Sequence, residues 1–320
     1  MATELLGTAG LTNSMKQFYS RALLERALPM FVHLDYGRKD GIPRNGGKSI
    51  EWRRYERPTA ATTALTEGTP PSATNVTVAN VQATVSQYGA YDIFSDLVDL
   101  QNFDPFLAQE TEVFSEQMAD SLDIIVRNVI TGGTTVQYAS IATTRGGPSG
   151  LASGMYLNYA EIREAVAQAR RQNTRPFPDS NFIGIYHPDT ERDLMSDSDV
   201  IQSAQFAGAR GDTNPMMKGE VGTFYGVKWV RTTNARIFSS AGRSGADVYA
   251  TMVFGQGFYG VVDLSAMRPQ VIVKQVGSAG ADDPLNQYGT VGWKAAITAA
   301  ILNQNFGVRV EHVTSQSNAA

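Results

Sequence analysis

A chain of 320 residues with 42% hydrophobic and 9% aromatic residues can form a packed core, which excludes a wholly disordered or collagen-like protein, and its length favours two lobes. Its net charge of −4 disfavours a dedicated nucleic-acid reader, and its low charged fraction of 18% predicts that other molecules cover part of its surface. The absence of cysteine excludes disulfides, thiolate nucleophiles and cysteine zinc sites.

Residues 1–47 combine scattered apolar residues with a glycine-rich end, which predicts an extended arm with a short helix at Met15–Ala27. We expect this arm to lie on another surface. The first residues lack the pattern of a secretory signal and no apolar run reaches the length of a membrane span, so we expect a soluble protein that stays in the cytoplasm where it is made.

Two runs of alternating side chains predict a long hairpin over residues 48–100. The first run covers residues 48–57 and the second begins at Val76. Between them lie eighteen residues, 58–75, rich in Thr, Ala and Pro and without a large aromatic side chain. Because such a loop is too long for an ordinary turn, we expect it to project from the body as an extension.

A long helix is predicted next, over about residues 104–131. Asp104 would cap it, Pro105 would occupy its first position, and Gly132 and Gly133 would end it. Its apolar positions are Leu107, Phe114, Met118, Leu122, Ile125 and Val129. Four carboxylates, Glu112, Glu116, Asp120 and Asp123, are predicted on its outward face, where like charges destabilise a helix unless cations cover them.

The charge is unevenly distributed along the chain. Residues 1–57 contain ten Lys and Arg against six Asp and Glu, residues 58–130 one against ten, and residues 131–320 sixteen against fifteen. The basic arm or hairpin base, from this subunit or a neighbour, is therefore predicted to cross the acidic helix face. A solvated acidic face is the alternative.

Beyond the long helix, strands alternate with short helices. Asn158 with Glu161 has the spacing of a capping box, and Ile162, Ala165, Val166 and Ala169 form the apolar stripe of the helix that follows. Residues 182–186 predict a strand that leads into a helix after Pro188. Further strands are predicted at residues 227–230, 248–254, 259–263 and 271–276.

Three motifs suggest chemistry but have simpler readings. The GxGxxG match at Gly255–Gly260 is followed by a strand pattern, so we predict a hairpin turn and not a dinucleotide site. Arg210-Gly211-Asp212 predicts a flexible surface loop, with an adhesion role as the alternative. His187 and Asp189 follow a strand, which leaves a soluble α/β enzyme as the alternative function, although a turn histidine before Pro188 is favoured.

Four stretches resemble one family of proteins. RNGGKSIEWRRYERPTAATTALTEGTPP is similar to the extended-loop hairpin of coliphage N-four-type capsid proteins, and NFIGIYHPDTERDLMSD to their strand, proline and helix step. GEVGTFYGVKWVRTTNARIF and QYGTVGWKAAITAAILNQNFGVRVEHV resemble later segments of the same family. The chain therefore resembles the major capsid proteins of tailed bacteriophages, which implies an α+β chain with the Hong Kong 97 phage fold.

The resemblance implies five segments. These are an N-terminal arm (1–47), an extended-loop hairpin (48–100), a peripheral domain with the spine helix (101–155), an axial domain (156–266) and return strands to the peripheral domain (267–320). The implied function is self-assembly as hexamers and pentamers into an icosahedral shell around double-stranded DNA, without enzymatic activity, cofactor, metal or membrane partner. A separate scaffolding protein, a portal protein and a decoration protein are the further partners expected.

The residues expected to hold neighbouring subunits come from the hairpin and the helix. In the hairpin they are Arg53, Arg54, Arg57, Pro58, Glu67, Pro70 and Asn75. In the helix they are the four carboxylates Glu112, Glu116, Asp120 and Asp123.

Overall fold

The computed structural model describes residues 32–101, 106–206, 222–264, 267–277 and 285–316. The predicted helix at Met15–Ala27, the cap at Asp104 and Pro105, and the Arg210–Asp212 tripeptide lie outside these residues. The strands are β1 (Arg38–Ile42), β2 (Ser49–Tyr55), β3 (Val78–Thr84), β4 (Ser86–Ser95), β5 (Val136–Tyr138), β6 (Phe182–Tyr186), β7 (Thr223–Phe224), β8 (Val227–Arg231), β9 (Ile237–Phe238), β10 (Val248–Phe254), β11 (Tyr259–Leu264), β12 (Gln270–Lys274), β13 (Tyr288–Ile301) and β14 (Gly307–His312). The helices are α1 (Asp96–Gln101), α2 (Phe106–Ile130), α3 (Tyr159–Arg171), α4 (Pro188–Met195) and α5 (Ser198–Phe206).

Strand β13 organises the first sheet, which we call the peripheral sheet. Strand β4 pairs antiparallel with it from Tyr288↔Ser95 to Ile297↔Ser86, while β12 and β11 pair with successive parts of its other edge. Strand β1, which belongs to the predicted arm, adds to β11 in parallel. The end of the arm is thus a strand of this sheet.

The second sheet, which we call the axial sheet, has the order β5-β14-β10-β6-β8-β7, with β9 also paired to β10. Its central strands β6 and β10 are buried on both faces, as their nearly continuous apolar sequences require. Alternate residues face different core clusters: Ile185 and Met252 pack with α2, whereas Tyr186 and Val253 pack with α3. These two strands therefore separate two cores.

Helix α2 confirms the predicted long helix. Its apolar residues, among them Phe114, Leu122 and Val126, pack in the cluster that also contains Trp293 of the peripheral sheet and Phe254 of the axial sheet. The Trp293 indole N–H donates to the Gln117 side chain at 3.0 Å. The helix consequently contributes to one core that joins both sheets.

Helix α3 confirms the predicted cap and stripe. Asn158 accepts a hydrogen bond from the Glu161 backbone N–H at 3.0 Å, and the four apolar residues from Ile162 to Ala169 are buried. The Glu161 carboxylate does not complete a capping box. It accepts instead from the Ser140 N–H at 2.7 Å and from the Gln137 amide at 2.7 Å, which ties the helix to β5.

The structure corrects the prediction of a hairpin turn at Gly255–Gly260. The chain does turn here, and β11 follows without a helix, but β10 and β11 do not form a hairpin. Strand β10 pairs with β14, β6 and β9, whereas β11 pairs with β1 and β13. The turn carries the chain from the axial sheet to the peripheral sheet.

Sheet membership does not follow the five implied segments one to one. Strand β5, within 101–155, and strand β14, within 267–320, both pair in the axial sheet. The segments at 101–155 and 267–320 therefore each contribute to more than one part of the molecule, and the implied boundaries stay a prediction.

Candidate intersubunit interface

The predicted hairpin is present, and its tip, residues 57–78, is exposed. Strands β2 and β3 pair antiparallel from Ser49↔Thr84 to Tyr55↔Val78, and residues 57–78 are all exposed. The exposed fraction reaches 76% at Leu65, an apolar side chain. Pro58, Glu67, Pro70 and Asn75 lie in this exposed stretch. Among the described residues no side chain of the tip is hydrogen-bonded to the body.

The base of the hairpin is fixed to the body by Trp52. Its indole N–H donates to the Asp40 carboxylate at 2.7 Å. Its ring lies over Gly260 of β11, where an added Cβ would come within 3.0 Å of the indole. Arg54, two residues along, donates to the Leu302 carbonyl at 3.3 Å and pairs with Glu56 at 2.6 Å. A fixed base with a bare tip defines the direction in which the hairpin projects.

The acidic face of α2 is only partly a surface. Glu112 is exposed, and Glu116 and Asp120 are half-buried. Asp120 accepts from the Asn234 side chain at 2.7 Å. Asp123, predicted on the same outward face, is completely buried, so its assignment to a subunit interface is wrong.

Asp123 holds the end of the arm instead. One carboxylate oxygen accepts from the His33 backbone N–H at 2.8 Å and the other lies 2.8 Å from His33 Nδ1. The Tyr259 hydroxyl donates to the His33 carbonyl at 2.6 Å. Burial raises the pKa of Asp123, but the hydrogen bonds and charge of His33, together with Asn234, outweigh it and hold this pKa below its ordinary value. The end of the arm thus contacts the long helix α2 through His33.

The hairpin arginines do not reach the acidic face of their own chain. Arg53 pairs with Glu51 at 3.2 Å, and Arg54 and Arg57 line a cleft beside the α3 end of the axial region. The arm and the hairpin base are the two sources of cations predicted for the acidic face. Among the described residues, the hairpin base does not contact that face within the same subunit. The hairpin base of a neighbour stays a prediction.

His187 and Asp189 form a helix cap. His187 Nδ1 accepts from the Asp189 backbone N–H at 3.2 Å, at the start of α4, and the Tyr249 hydroxyl donates to the Asp189 carboxylate at 3.0 Å. Burial lowers the pKa of His187, although the Asp189 charge opposes this. These groups hold α4 in place, as the turn-histidine reading predicts.

Sequence reasoning missed a buried ionic cluster at β14. The completely buried Glu311 accepts two hydrogen bonds from Arg145, at 2.7 and 2.5 Å, and Arg309 donates to the Thr131 and Gly133 carbonyls. The Arg145 guanidinium also lies 3.6 Å from the centre of the Phe238 ring. Arg309 and Glu311 alternate with buried valines in the sequence, which was the available signal.

The described residues contain neither a metal-binding cluster nor a membrane-spanning helix. Within the described ranges, no group of three or more His, Asp or Glu side chains could hold a metal ion. No helix in the same part of the chain is long and apolar enough to cross a bilayer.

Comparison with solved structures defines the class of fold. The capsid protein of cyanophage P-SCSP1u has a TM-score of 0.72 at 15% identity, covering 98% of this chain and 97% of that chain. That of cyanophage Pam1 has a TM-score of 0.72 at 16% identity, with 99% and 100% covered, and that of Ralstonia phage GP4 0.71 at 12%, with 98% and 99% covered. The fold is the Hong Kong 97 type of phage capsid proteins, as predicted.

The family follows from the sequence itself. Residues 60–310 match the model of a family described as phage capsid protein, and the chain belongs to that family. The predicted function, that of a major capsid protein of a tailed bacteriophage, is confirmed. No curated protein matches the chain significantly.

Proposed function

We propose that copies of this chain assemble as hexamers and pentamers into an icosahedral shell, in the cytoplasm of the bacterial host. The shell encloses double-stranded DNA without sequence-specific contacts, and the chain carries out no catalysis. A separate scaffolding protein and a portal protein take part in assembly, and a decoration protein is a further partner. The low charged fraction fits this role, because contacts between copies cover surface that an isolated protein would need to solvate.

The observation that supports the proposal is an exposed hairpin tip on a base that is fixed to the body. A tip of more than twenty exposed residues has no core of its own to order it. Trp52 nevertheless holds its base rigidly against β11. This combination fits a segment that lies on a neighbouring copy, which would cover Leu65 and the exposed prolines.

The hairpin arginines and the acidic helix face are the partner surfaces proposed for that contact. Arg53, Arg54 and Arg57 supply the positive side. Glu112 and Glu116, with Asp120, supply the negative side, and Asp123 is left out because it is buried.

The test is to shorten the tip. Residues 58–75 are replaced by Asn-Gly, which favours a tight hairpin turn between β2 and β3. We expect the wild-type protein to form capsomers or shells in electron microscopy and sedimentation, and the shortened protein to stay unassembled with an unchanged unfolding midpoint.

Two results would count against the proposal. A wild-type chain that stays a monodisperse monomer at high concentration contradicts self-assembly. Shells formed equally well by the shortened protein would show that the tip does not join subunits.

A further inference from the structure

A cleft of about 1260 Å³ lies where the hairpin base meets the axial region. Its walls come from distant parts of the sequence: the arm at residues 35–38, the hairpin base at 54–57, the segment after α3 at 172–177, and the loop at 303–306. Aromatic rings of Tyr36, Phe177 and Phe306 line it together with several asparagines and arginines. We call it the arginine cleft.

The cleft has an excess of positive charge. Arg38, Arg54, Arg57 and Arg175 line it, against Asp35 and Glu56. Arg38 pairs with Asp40, and Arg54 pairs with Glu56. In the part of the chain that the structure describes, Arg57 and Arg175 have no carboxylate partner. Two guanidinium groups are therefore available to bind anionic groups bidentately.

The backbone at Arg175 is held firmly in position. Its carbonyl accepts from the Gln256 N–H at 2.9 Å, and the preceding Thr174 is buried, with its N–H donating to the Ala169 carbonyl at 3.1 Å. The Thr174 methyl group lies so close to Gly255 that a Cβ there would come within 2.4 Å of it. Because the backbone is fixed here, only the Arg175 side chain has to lose conformational freedom when it binds a partner.

The distribution of charge along the chain indicates which segment could bind in the arginine cleft. Residues 1–31, which lie outside the described structure, contain three Lys and Arg against two Asp and Glu and do not complement a basic cleft. Between Asp92 and Ile125 there are nine Asp and Glu and no Lys or Arg. In that stretch Glu112 is exposed beside Val113, an apolar residue with 43% of its surface exposed, which matches the mixture of arginines and aromatic rings in the cleft.

We propose that the arginine cleft receives the acidic face of α2 from a second copy of this chain, with Arg175 and Arg57 facing Glu112 and Glu116. This inference rests on the proposed self-assembly. It adds the axial segment that carries Arg175 to an interface otherwise assigned to the hairpin, so that each copy holds its neighbour with both regions.

The experiment is a charge swap in the full-length chain. Arg175→Glu is expected to raise the protein concentration needed for assembly at least tenfold, measured by sedimentation, while the unfolding midpoint stays that of wild type. Glu112→Arg in the same chain is expected to restore assembly. Arg171→Glu is the matched control, because Arg171 is exposed at the end of α3 but does not line the cleft.

Each outcome of the charge-swap experiment supports or contradicts a stated part of the proposal. Assembly of Arg175→Glu at wild-type concentration overturns the inference while leaving the proposed function intact. Impaired assembly that Glu112→Arg does not restore assigns the cleft to another partner and also overturns it. A wild-type chain that forms no capsomers refutes the proposed function itself.

Discussion

Strand β14 and the hairpin differ in the environment of their charged side chains, which are buried in β14 and exposed in the hairpin. In β14 every residue is buried, and Glu311 receives both of its hydrogen bonds from Arg145 of the same chain. In the hairpin Arg53 and Arg57 are exposed, and the tip beyond them touches no core. Since a buried ion must be paired whereas an exposed one need not be, the chain pairs the buried Glu311 of β14 by itself, while the exposed arginines of the hairpin stay accessible to other molecules.

The largest difference is expected from truncating one aromatic ring in each region. Phe254→Ala should lower the free energy of unfolding by about 3–5 kcal/mol, because this completely buried ring lies in a cluster of aromatic side chains. Tyr55→Ala should change it by less than about 0.5 kcal/mol, because Tyr55 is exposed on the hairpin. Urea unfolding of the two purified variants measures both values, and similar losses would remove the contrast.

A smaller effect is expected from pH at the end of β14. Burial lowers the pKa of His312 to about 4, whereas an unfolded histidine titrates near about 6.5. The stabilising contribution is complete above about pH 6.5 and is lost as pH falls towards 4, because the unfolded chain then binds a proton that the folded chain does not. It amounts to about 3 kcal/mol.

The variant His312→Gln isolates this contribution. Urea unfolding at pH 7 and pH 4.5 should show a smaller loss of stability for the variant than for the wild type. The neutral ring is consistent with its contacts, since Nδ1 lies 3.2 Å from the Val313 carbonyl and Nε2 lies 2.9 Å from the Thr251 hydroxyl. Equal losses in both proteins would place the pH dependence elsewhere.

The smallest effect is expected where the two regions meet. Trp52→Phe removes the indole N–H that donates to Asp40 but keeps an aromatic side chain at the hairpin base. We expect a loss of about 1 kcal/mol in the free energy of unfolding, the typical value of one hydrogen bond. Tyr55→Phe, on the same strand, is the control and should cause no loss; if both variants behave alike, Trp52 is not the anchor.

Local patterns predicted the elements well. The period of Phe114, Met118 and Leu122 identified α2, and Asn158 identified the start of α3, because these signals depend on neighbours along the chain. The alternation around Trp52 likewise predicted β2 and the hairpin.

Contacts between distant segments could not be predicted in this way. The helical period places Asp123 on the face of Glu112, but it does not reveal that His33 and Asn234 cover one end of that face. Similarly, β10 and β11 are consecutive, yet each finds its partners far away in the sequence. Arg175 has no distinctive neighbours in the chain, and only the fold brings it to the same cleft as Arg57.

The direct passage from β3 into β4 has a mechanical consequence for a closed shell. Only Val85 separates the hairpin strand from β4, which is bound to β13 through ten residue pairs. A pull on the hairpin acts along this strand and loads the ladder in shear, so that many hydrogen bonds share the force and do not open one after another. Where the hairpin joins a neighbouring copy, as proposed, tension between the copies is carried into the central strand of the peripheral sheet.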